Sequence, residues 1–337
     1  MIRKALITLT VTLTAVSAAA VAIDKRIIGG EEAKGGDFRF IVSIGSSAEG
    51  LSSHICGGAL LDNTTVLTAA RCLRDAYYVR AGTKDLSKSA VVGKLDFVVA
   101  HPDYKRGPPR RGHFPSAVND IAILKLSTPI EESDKIKYAT LPENDSDPVV
   151  DSTAVTAGWG EQVSLERDVY QDDKLQKIEI PVRPLEDCSD VTPDAVGRDT
   201  KICAGGDGKN VFRFDSGGPL IDQDEQLIGV ALAGSFDIQN PSIYTKVGSY
   251  MPFIKEYLGS VSNPDPTARP ITEVREEKLH PAIFLREQVK NYCEKKIAEN
   301  VFDCFSAAGD CKGLQRPDGN MDEVFQCMDK KLDVTGE

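Results

Sequence analysis

The chain has 337 residues, a net charge of -11, and a composition of 41% hydrophobic and 27% charged residues. That balance excludes wholesale disorder, and the negative charge argues against electrostatic binding of nucleic acid or an anionic membrane, both of which need a basic surface. The length accommodates one large domain plus one or two small ones.

In chain order, Arg3 and Lys4 make a basic start, and an apolar stretch runs from Ala5 to Ala22 with Ala18, Ala19, Ala20 and Ala22 at its end. This is the layout of a secretory signal peptide over residues 1–22. The stretch is Thr-rich and marginal in length for a membrane span, so it reads as a cleaved leader and not as an anchor. Nothing else in the sequence is apolar enough to cross a bilayer. In a secreted chain the eight cysteines read as four disulfides. They fall into a body set (Cys56, Cys72, Cys188, Cys203) and a C-terminal set (Cys293, Cys304, Cys311, Cys327). No Cys/His array has zinc spacing, so neither a metal nor another cofactor is expected. Asn63-Thr64-Thr65 and Asn144-Asp145-Ser146 are N-glycosylation acceptors.

Short apolar, β-branched runs then recur, at Phe40–Ile44, Thr65–Thr68, Tyr77–Val79, Phe97–Val99, Ala122–Leu126, Val155–Ala157, Gln176–Ile180, Leu227–Ala231 and Ile243–Val247. Gly, Pro, Asp and Asn punctuate them. Regular short strands with turn signals predict an all-β sandwich or barrel, and no helical crossovers alternate with them to support a parallel sheet. A helix is predicted at about Tyr250–Leu258, a linker over 260–280, and an α-helical extension over 281–337. That extension is too small to hold itself together by burial alone and needs its disulfides. Its four cysteines allow three pairings.

Four segments, in order, carry a family resemblance: Lys25-Arg26-Ile27-Ile28-Gly29-Gly30; Cys56-Gly57-Gly58-Ala59-Leu60 with Leu67-Thr68-Ala69-Ala70-Arg71-Cys72; Asn119-Asp120-Ile121-Ala122-Ile123-Leu124; and Phe214-Asp215-Ser216-Gly217-Gly218-Pro219-Leu220. Ala157-Gly158-Trp159-Gly160 and Tyr244-Thr245-Lys246-Val247 support them. The chain from 27 to 259 thus resembles the chymotrypsin–trypsin family of serine proteases. The resemblance implies two antiparallel six-stranded Greek-key barrels with a C-terminal helix, residues 23–26 being a short propeptide. It pairs Cys56 with Cys72. It implies cleavage after Arg26, with the new amine of Ile27 pairing with Asp215. In the triad Asp120 matches the carboxylate and Ser216 the nucleophile.

Arg71 stands where the family has its histidine. Acyl transfer needs a base that takes the serine proton and returns it to the leaving amine. Imidazole does this near neutral pH; a guanidinium has donors only. Removing the histidine from a serine protease costs on the order of 10⁶ in turnover, or about 8 kcal/mol of barrier. The expected result is a fixed ion pair between Arg71 and Asp120, with Ser216 left as an ordinary alcohol.

Other departures agree. The oxyanion hole normally uses the amides of a glycine and of the serine; here these are Phe214 and Ser216, and a bulky residue resists the backbone geometry that glycine allows. Phe212 replaces a pocket cysteine, and Leu232-Ala233 replaces a Ser-Trp pair. Asn210 falls at the floor of the specificity pocket and Ser242 on its wall, so preference for basic residues is not supported. Of the histidines, His54 and His101 match positions outside the family's site, His280 lies in the extension, and His113 lies in the loop before Asp120.

The expectation is a secreted, proteolytically inactive homologue that binds a protein partner such as a protease, a host enzyme or an inhibitor. This arrangement is similar to that of the oomycete glucanase inhibitor proteins, in which a trypsin-like chain binds an enzyme instead of cutting. The alternatives are an active endopeptidase with His113 as a non-standard base, and a chain whose extension is the functional part.

Overall fold

The computed structural model describes residues 30–46, 54–107, 117–163, 169–171, 173–189, 199–233, 239–259 and 269–270. The stretches expected to be a leader (1–22), a propeptide (23–26) and a four-cysteine extension (281–337) lie outside the described residues, as do Ile27 and His113.

The elements in chain order are β1 (Glu31–Glu32), β2 (Ile41–Gly45), β3 (His54–Leu60), β4 (Thr65–Thr68), β5 (Tyr78–Ala81), β6 (Val91–Ala100), β7 (Lys105–Arg106), β8 (Ala117–Val118), β9 (Ala122–Leu126), β10 (Thr153–Gly158), β11 (Glu161–Val163), β12 (Val169–Gln171), β13 (Gln176–Arg183), β14 (Lys201–Ala204), β15 (Pro219–Ile221), β16 (Leu227–Ala233), β17 (Ser242–Lys246), α1 (Met251–Glu256) and β18 (Arg269–Pro270). Single 3-10 turns occupy Ala70–Asp75, Leu185–Cys188 and Val247–Tyr250.

The strands close into two antiparallel barrels. The first has the order β6-β5-β2-β3-β4-β9, closed by β6 against β9; the second has β13-β10-β15-β16-β17-β14, closed by β13 against β14. Closure leaves no long edge exposed. The sequence pattern that drives it is alternation. In β13, Gln176, Ile178, Ile180 and Val182 are buried while the residues between them face outward or are partly exposed, the period of two that a half-buried strand requires. Ile44, Leu60, Leu67, Ile123 and Leu124 fill the first barrel. Ile178, Ile180, Ile202, Leu220 and Tyr244 fill the second.

The predicted strands all fall on observed ones; among the barrel strands β3, β14 and β15 were not foreseen, nor were the two- and three-residue strands β1, β7, β8, β11, β12 and β18. Gly57 and Gly58 make β3 look like a turn, and β15 follows the Gly217-Gly218 pair directly. Within the stretch 260–280, expected as a linker, only Arg269–Pro270 is described, and it pairs with β6 opposite Val98 and Phe97.

The chain beyond α1 is tied down by Lys125. Its buried ammonium donates to Thr64 Oγ1 (3.1 Å), Thr65 Oγ1 (2.8 Å), Tyr257 O (3.1 Å) and Gly259 O (2.6 Å). Lys125→Met is expected to lower unfolding stability by about 2 kcal/mol, since it removes the buried ammonium's bonds to Gly259 O and to Tyr257 O, the latter keeping only its Thr65 Oγ1 donor among those shown. Denaturant titration checks this, and a loss below about 0.5 kcal/mol would contradict it.

Candidate active site

Arg71 lies on the 3-10 turn Ala70–Asp75, and the Cys56–Cys72 bridge pins that turn to β3. Its backbone N–H donates to Asp120 Oδ1 (2.9 Å) and its Nε to Asp120 Oδ2 (2.5 Å). Asp120 is fully buried, and the Arg71 side chain is 16% exposed. Asp120 is aimed by its neighbours. Asn119 before it takes a left-handed backbone (φ 51°), which Asn tolerates better than most residues, and its Oδ1 accepts from Tyr250 Oη (2.7 Å). Thr245 Oγ1 donates to the Asp120 carbonyl (3.1 Å).

Ser216 stands in the tight turn between Asp215 and Gly218. Gly217 has φ +81°, and a Cβ there would overlap Thr68 Oγ1 and the Gly57 carbonyl, so only glycine fits. Three backbone bonds fix the turn: Gly57 N to Ser216 O (2.9 Å), Gly217 N to Ala231 O (2.7 Å) and Gly218 N to Asp215 O (2.9 Å). The Cys72 sulfur lies 3.7 Å from Ser216 O. Arg71, Asp120 and Ser216 are thus brought together at the junction of the barrels. The Ser216 hydroxyl donates to Leu232 O (3.3 Å), so its proton points at a backbone carbonyl and not at a base.

Sequence reasoning set His54 aside, and the structure places it against the site. It is buried on β3, with Nδ1 2.7 Å from Ser43 Oγ and Nε2 3.2 Å from the Phe214 carbonyl. A carbonyl only accepts, so Nε2 carries the proton and Nδ1 accepts from the Ser43 hydroxyl. Both ring nitrogens are therefore engaged. Burial also pushes His54 down to about 4, so it is neutral at physiological pH. It holds the Phe214 peptide and cannot also serve Ser216. No sequence signal marks this contact, since 160 positions separate the partners. His101 packs edge-on between Tyr250 and Phe253, and burial lowers its pKa.

Phe214 was expected to resist the geometry of the oxyanion-hole residue. Its backbone nevertheless adopts φ 67°, at a cost of about 1–2 kcal/mol for a side chain with a Cβ. The His54 bond to its carbonyl is one of the contacts that hold it there.

Asp215 is 1% exposed. Its Oδ1 accepts from Gly160 N (2.8 Å) and its Oδ2 from Phe212 N (2.9 Å). A Cβ at Gly160 would collide with this carboxyl, which gives the Trp159-Gly160 segment its role. Burial pushes Asp215 up to about 7, against the two N–H donors. Among the described residues no cation pairs with it. Arg26 and Ile27, the expected source of one, lie outside them.

The expected pocket residues are buried together. Ser242 Oγ donates to Asn210 Oδ1 (2.9 Å), Gly206 N donates to the same oxygen (3.3 Å), and Asn210 Nδ2 donates to Asn240 O (2.5 Å). Asn210 and Ser242 are both 0% exposed. Both side chains are neutral, and their hydrogen-bonding groups face one another. The second body disulfide joins Cys188 to Cys203. Of the glycosylation acceptors, Asn144 is exposed in a turn, whereas Asn63 Nδ2 donates to Glu131 (3.1 Å).

Comparison with known proteins agrees with this geometry. The sequence model of the family described as Trypsin matches residues 27–254. The venom peptide isomerase heavy chain of Agelenopsis aperta is 32% identical over 248 residues, covering 66% of this chain and 96% of that protein. Glandular kallikrein-10 of Rattus norvegicus is 33% identical over 244 residues, covering 69% and 90%. Among solved structures, neuropsin, a serine protease expressed in the limbic system of mouse brain, superposes with a TM-score of 0.57 at 25% identity, covering 68% of this chain and 99% of that one.

Proposed function

Because the chain belongs to the trypsin family, what occupies the position of its general base decides its chemistry, and we propose that it is a secreted, proteolytically inactive serine protease homologue that works by binding another protein. One observation carries the proposal: the Arg71 guanidinium is fixed on buried Asp120 where the reaction needs an imidazole. Serine attack requires an acceptor for the hydroxyl proton. Arg71 supplies none, His54 is used on both nitrogens, and the serine proton is directed at Leu232 O.

Loss of the base leaves the recognition scaffold standing. Two disulfide-braced barrels still display their connecting loops, and loops on a rigid frame bind partners whether or not chemistry follows. Secretion fits the leader-like N-terminus and the body disulfides. Among the described residues no helix is long and apolar enough to cross a membrane. Cleavage after Arg26 would supply the Ile27 amine to the buried Asp215 carboxyl, so the cut serves as a shape change and not as the start of catalysis.

The test is reaction of the protein, cut after Arg26, with a fluorophosphonate probe, read by intact mass. The expected result is no adduct on Ser216 under conditions that label trypsin fully. A stoichiometric adduct would overturn the proposal and turn attention to His113 as the base.

A further inference from the structure

The strand beside Ser216 is irregular at one residue. On β16, Ala231 turns both of its backbone groups toward the nucleophile turn: its N–H donates to Gly218 O (2.8 Å) and its carbonyl accepts from Gly217 N (2.7 Å). In a regular antiparallel strand successive residues address opposite neighbours, so the carbonyl of Leu232 should face β17. The pairing with β17 breaks at this point. Ala231 lies opposite Tyr244 and the next pair is Ala233 with Ile243, which makes Leu232 the extra residue of a β-bulge. Its carbonyl accepts from Ser216 Oγ (3.3 Å). Two successive carbonyls, of Ala231 and Leu232, thus face the nucleophile turn, a re-aiming of the kind that bulges produce beside active sites.

The Leu232 side chain is held as firmly as its carbonyl. It is 1% exposed and sits in a small apolar cluster with Cys188, Cys203 and Ile243, against which Leu185 packs. Cys188 and Cys203 are bonded to each other, and Cys203 lies opposite Ile243 across the β14–β17 pair. The leucine is therefore seated on a surface braced by a disulfide and two paired strands.

We propose that Leu232 is a positioning residue that silences Ser216: burial of its side chain sets the bulge, and the bulge parks the Ser216 hydroxyl on a backbone carbonyl. The proposal rests on the reading of the chain as an inactive homologue and adds a brake separate from Arg71. An amide carbonyl accepts a hydrogen bond but is too weak a base to take the proton, so a serine held there is not activated. An imidazole at position 71 would compete with the carbonyl for the same proton. The brake therefore trims what Arg71→His gains and does not abolish it.

The test compares the full chain carrying Arg71→His with the same chain carrying Leu232→Ala as well, both cut after Arg26, by fluorophosphonate kinetics across pH. Leu232→Ala is expected to raise the rate about fivefold, the worth of one ordinary hydrogen bond. It is also expected to move the midpoint of the pH–rate profile to lower pH, because the released hydroxyl donates to the neutral imidazole and favours that form. Leu232→Met, which keeps the apolar bulk, is expected to match Arg71→His alone. A rate and midpoint that Leu232→Ala leaves unchanged, a slower rate, or equal gains from Ala and Met would overturn the role of Leu232. A second measurement does not depend on activity: crystal structures of the natural chain and of Leu232→Ala. The natural chain is expected to show the bulge with Ser216 Oγ on Leu232 O, and the variant regular pairing with the hydroxyl turned away. A bulge that survives loss of the leucine side chain overturns the proposal even where Arg71→His is not labelled. Labelling of Ser216 in the natural chain would strike the inactive reading itself, so the two failures are told apart. Should Leu232→Ala fail to fold, Leu232→Val trims the same seat and is expected to shift rate and midpoint in the same direction by a smaller amount.

Discussion

Arg71→His is expected to raise the rate at which Ser216 reacts with a fluorophosphonate by at least about a hundredfold, the lower range of what a positioned general base contributes. The rest of the apparatus is in place for it. Asp120 already accepts from the backbone N–H of residue 71 and presents its second oxygen to that side chain. The turn is held by a disulfide, and the Ser216 turn is locked by Gly217. Arg71→Gln, which also removes the charge but supplies no base, is expected to give no gain. Hydrolysis of peptides after Lys or Arg is expected to stay undetectable in both variants, because Asn210, expected at the floor of the specificity pocket, and Ser242, expected on its wall, carry no negative charge and hydrogen-bond to each other. Probe kinetics and a peptide panel check the two halves separately. If Arg71→His gains nothing, an obstacle besides the missing base, with Phe214 the first candidate, silences Ser216.

The second large effect is a cancellation made visible by mutation. In the uncut chain Asp215 is pushed up from 3.8 to about 7 by burial. A carboxyl shifted upward favours the folded state when protonated. Its contribution is complete below about pH 4 and is lost as pH rises toward 7, by about 4 kcal/mol at roughly 1.4 kcal/mol per pH unit of displacement. His54 is pushed down from 6.5 to about 4 by burial. Its contribution runs the other way: complete above pH 6.5 and lost as pH falls through 4, by about 3 kcal/mol. The two slopes oppose each other across nearly the same window. Relative to the natural chain, Asp215→Asn is expected to become more stable as pH rises from 4 to 6.5, and His54→Gln less stable. Urea titrations of the uncut proteins at several pH values measure this. Profiles parallel to that of the natural chain in both variants would refute it. Cleavage after Arg26 should flatten the His54→Gln profile if the Ile27 amine reaches Asp215.

The barrels were legible in the sequence because their strands are apolar runs with turn residues between them, and because the glycines around Ser216 and beside Trp159 are required by close approach. The exchange at position 71 was legible because Cys72 fixes the alignment beside it. What the sequence did not show is contact across distance. Nothing local reveals that His54 holds the Phe214 carbonyl, or that Ser43 completes that bond. Position 214 shows the same limit: local preference says that a bulky side chain resists a left-handed backbone, and the φ of 67° there is set by tertiary contacts that the local sequence does not reveal. The β18 pairing was hidden because a two-residue strand ending in proline has the composition of a linker.

The Arg71–Asp120 pair also bears on how such a chain changes over time. A histidine codon becomes an arginine codon by one base change at the middle position, so the exchange that sets this chain apart from the family's pattern is a small step. Once the guanidinium rests on a buried carboxylate, Asp120 acquires a structural duty: losing it removes the buried carboxylate that the guanidinium is held against, at a cost of about 3–5 kcal/mol when one partner of a buried pair is removed. Under the proposed reading, the aspartate is then retained by selection on folding and needs no selection on hydrolysis. Its persistence in a lineage would record the charge of its neighbour, and would say nothing about when proteolysis was last in use.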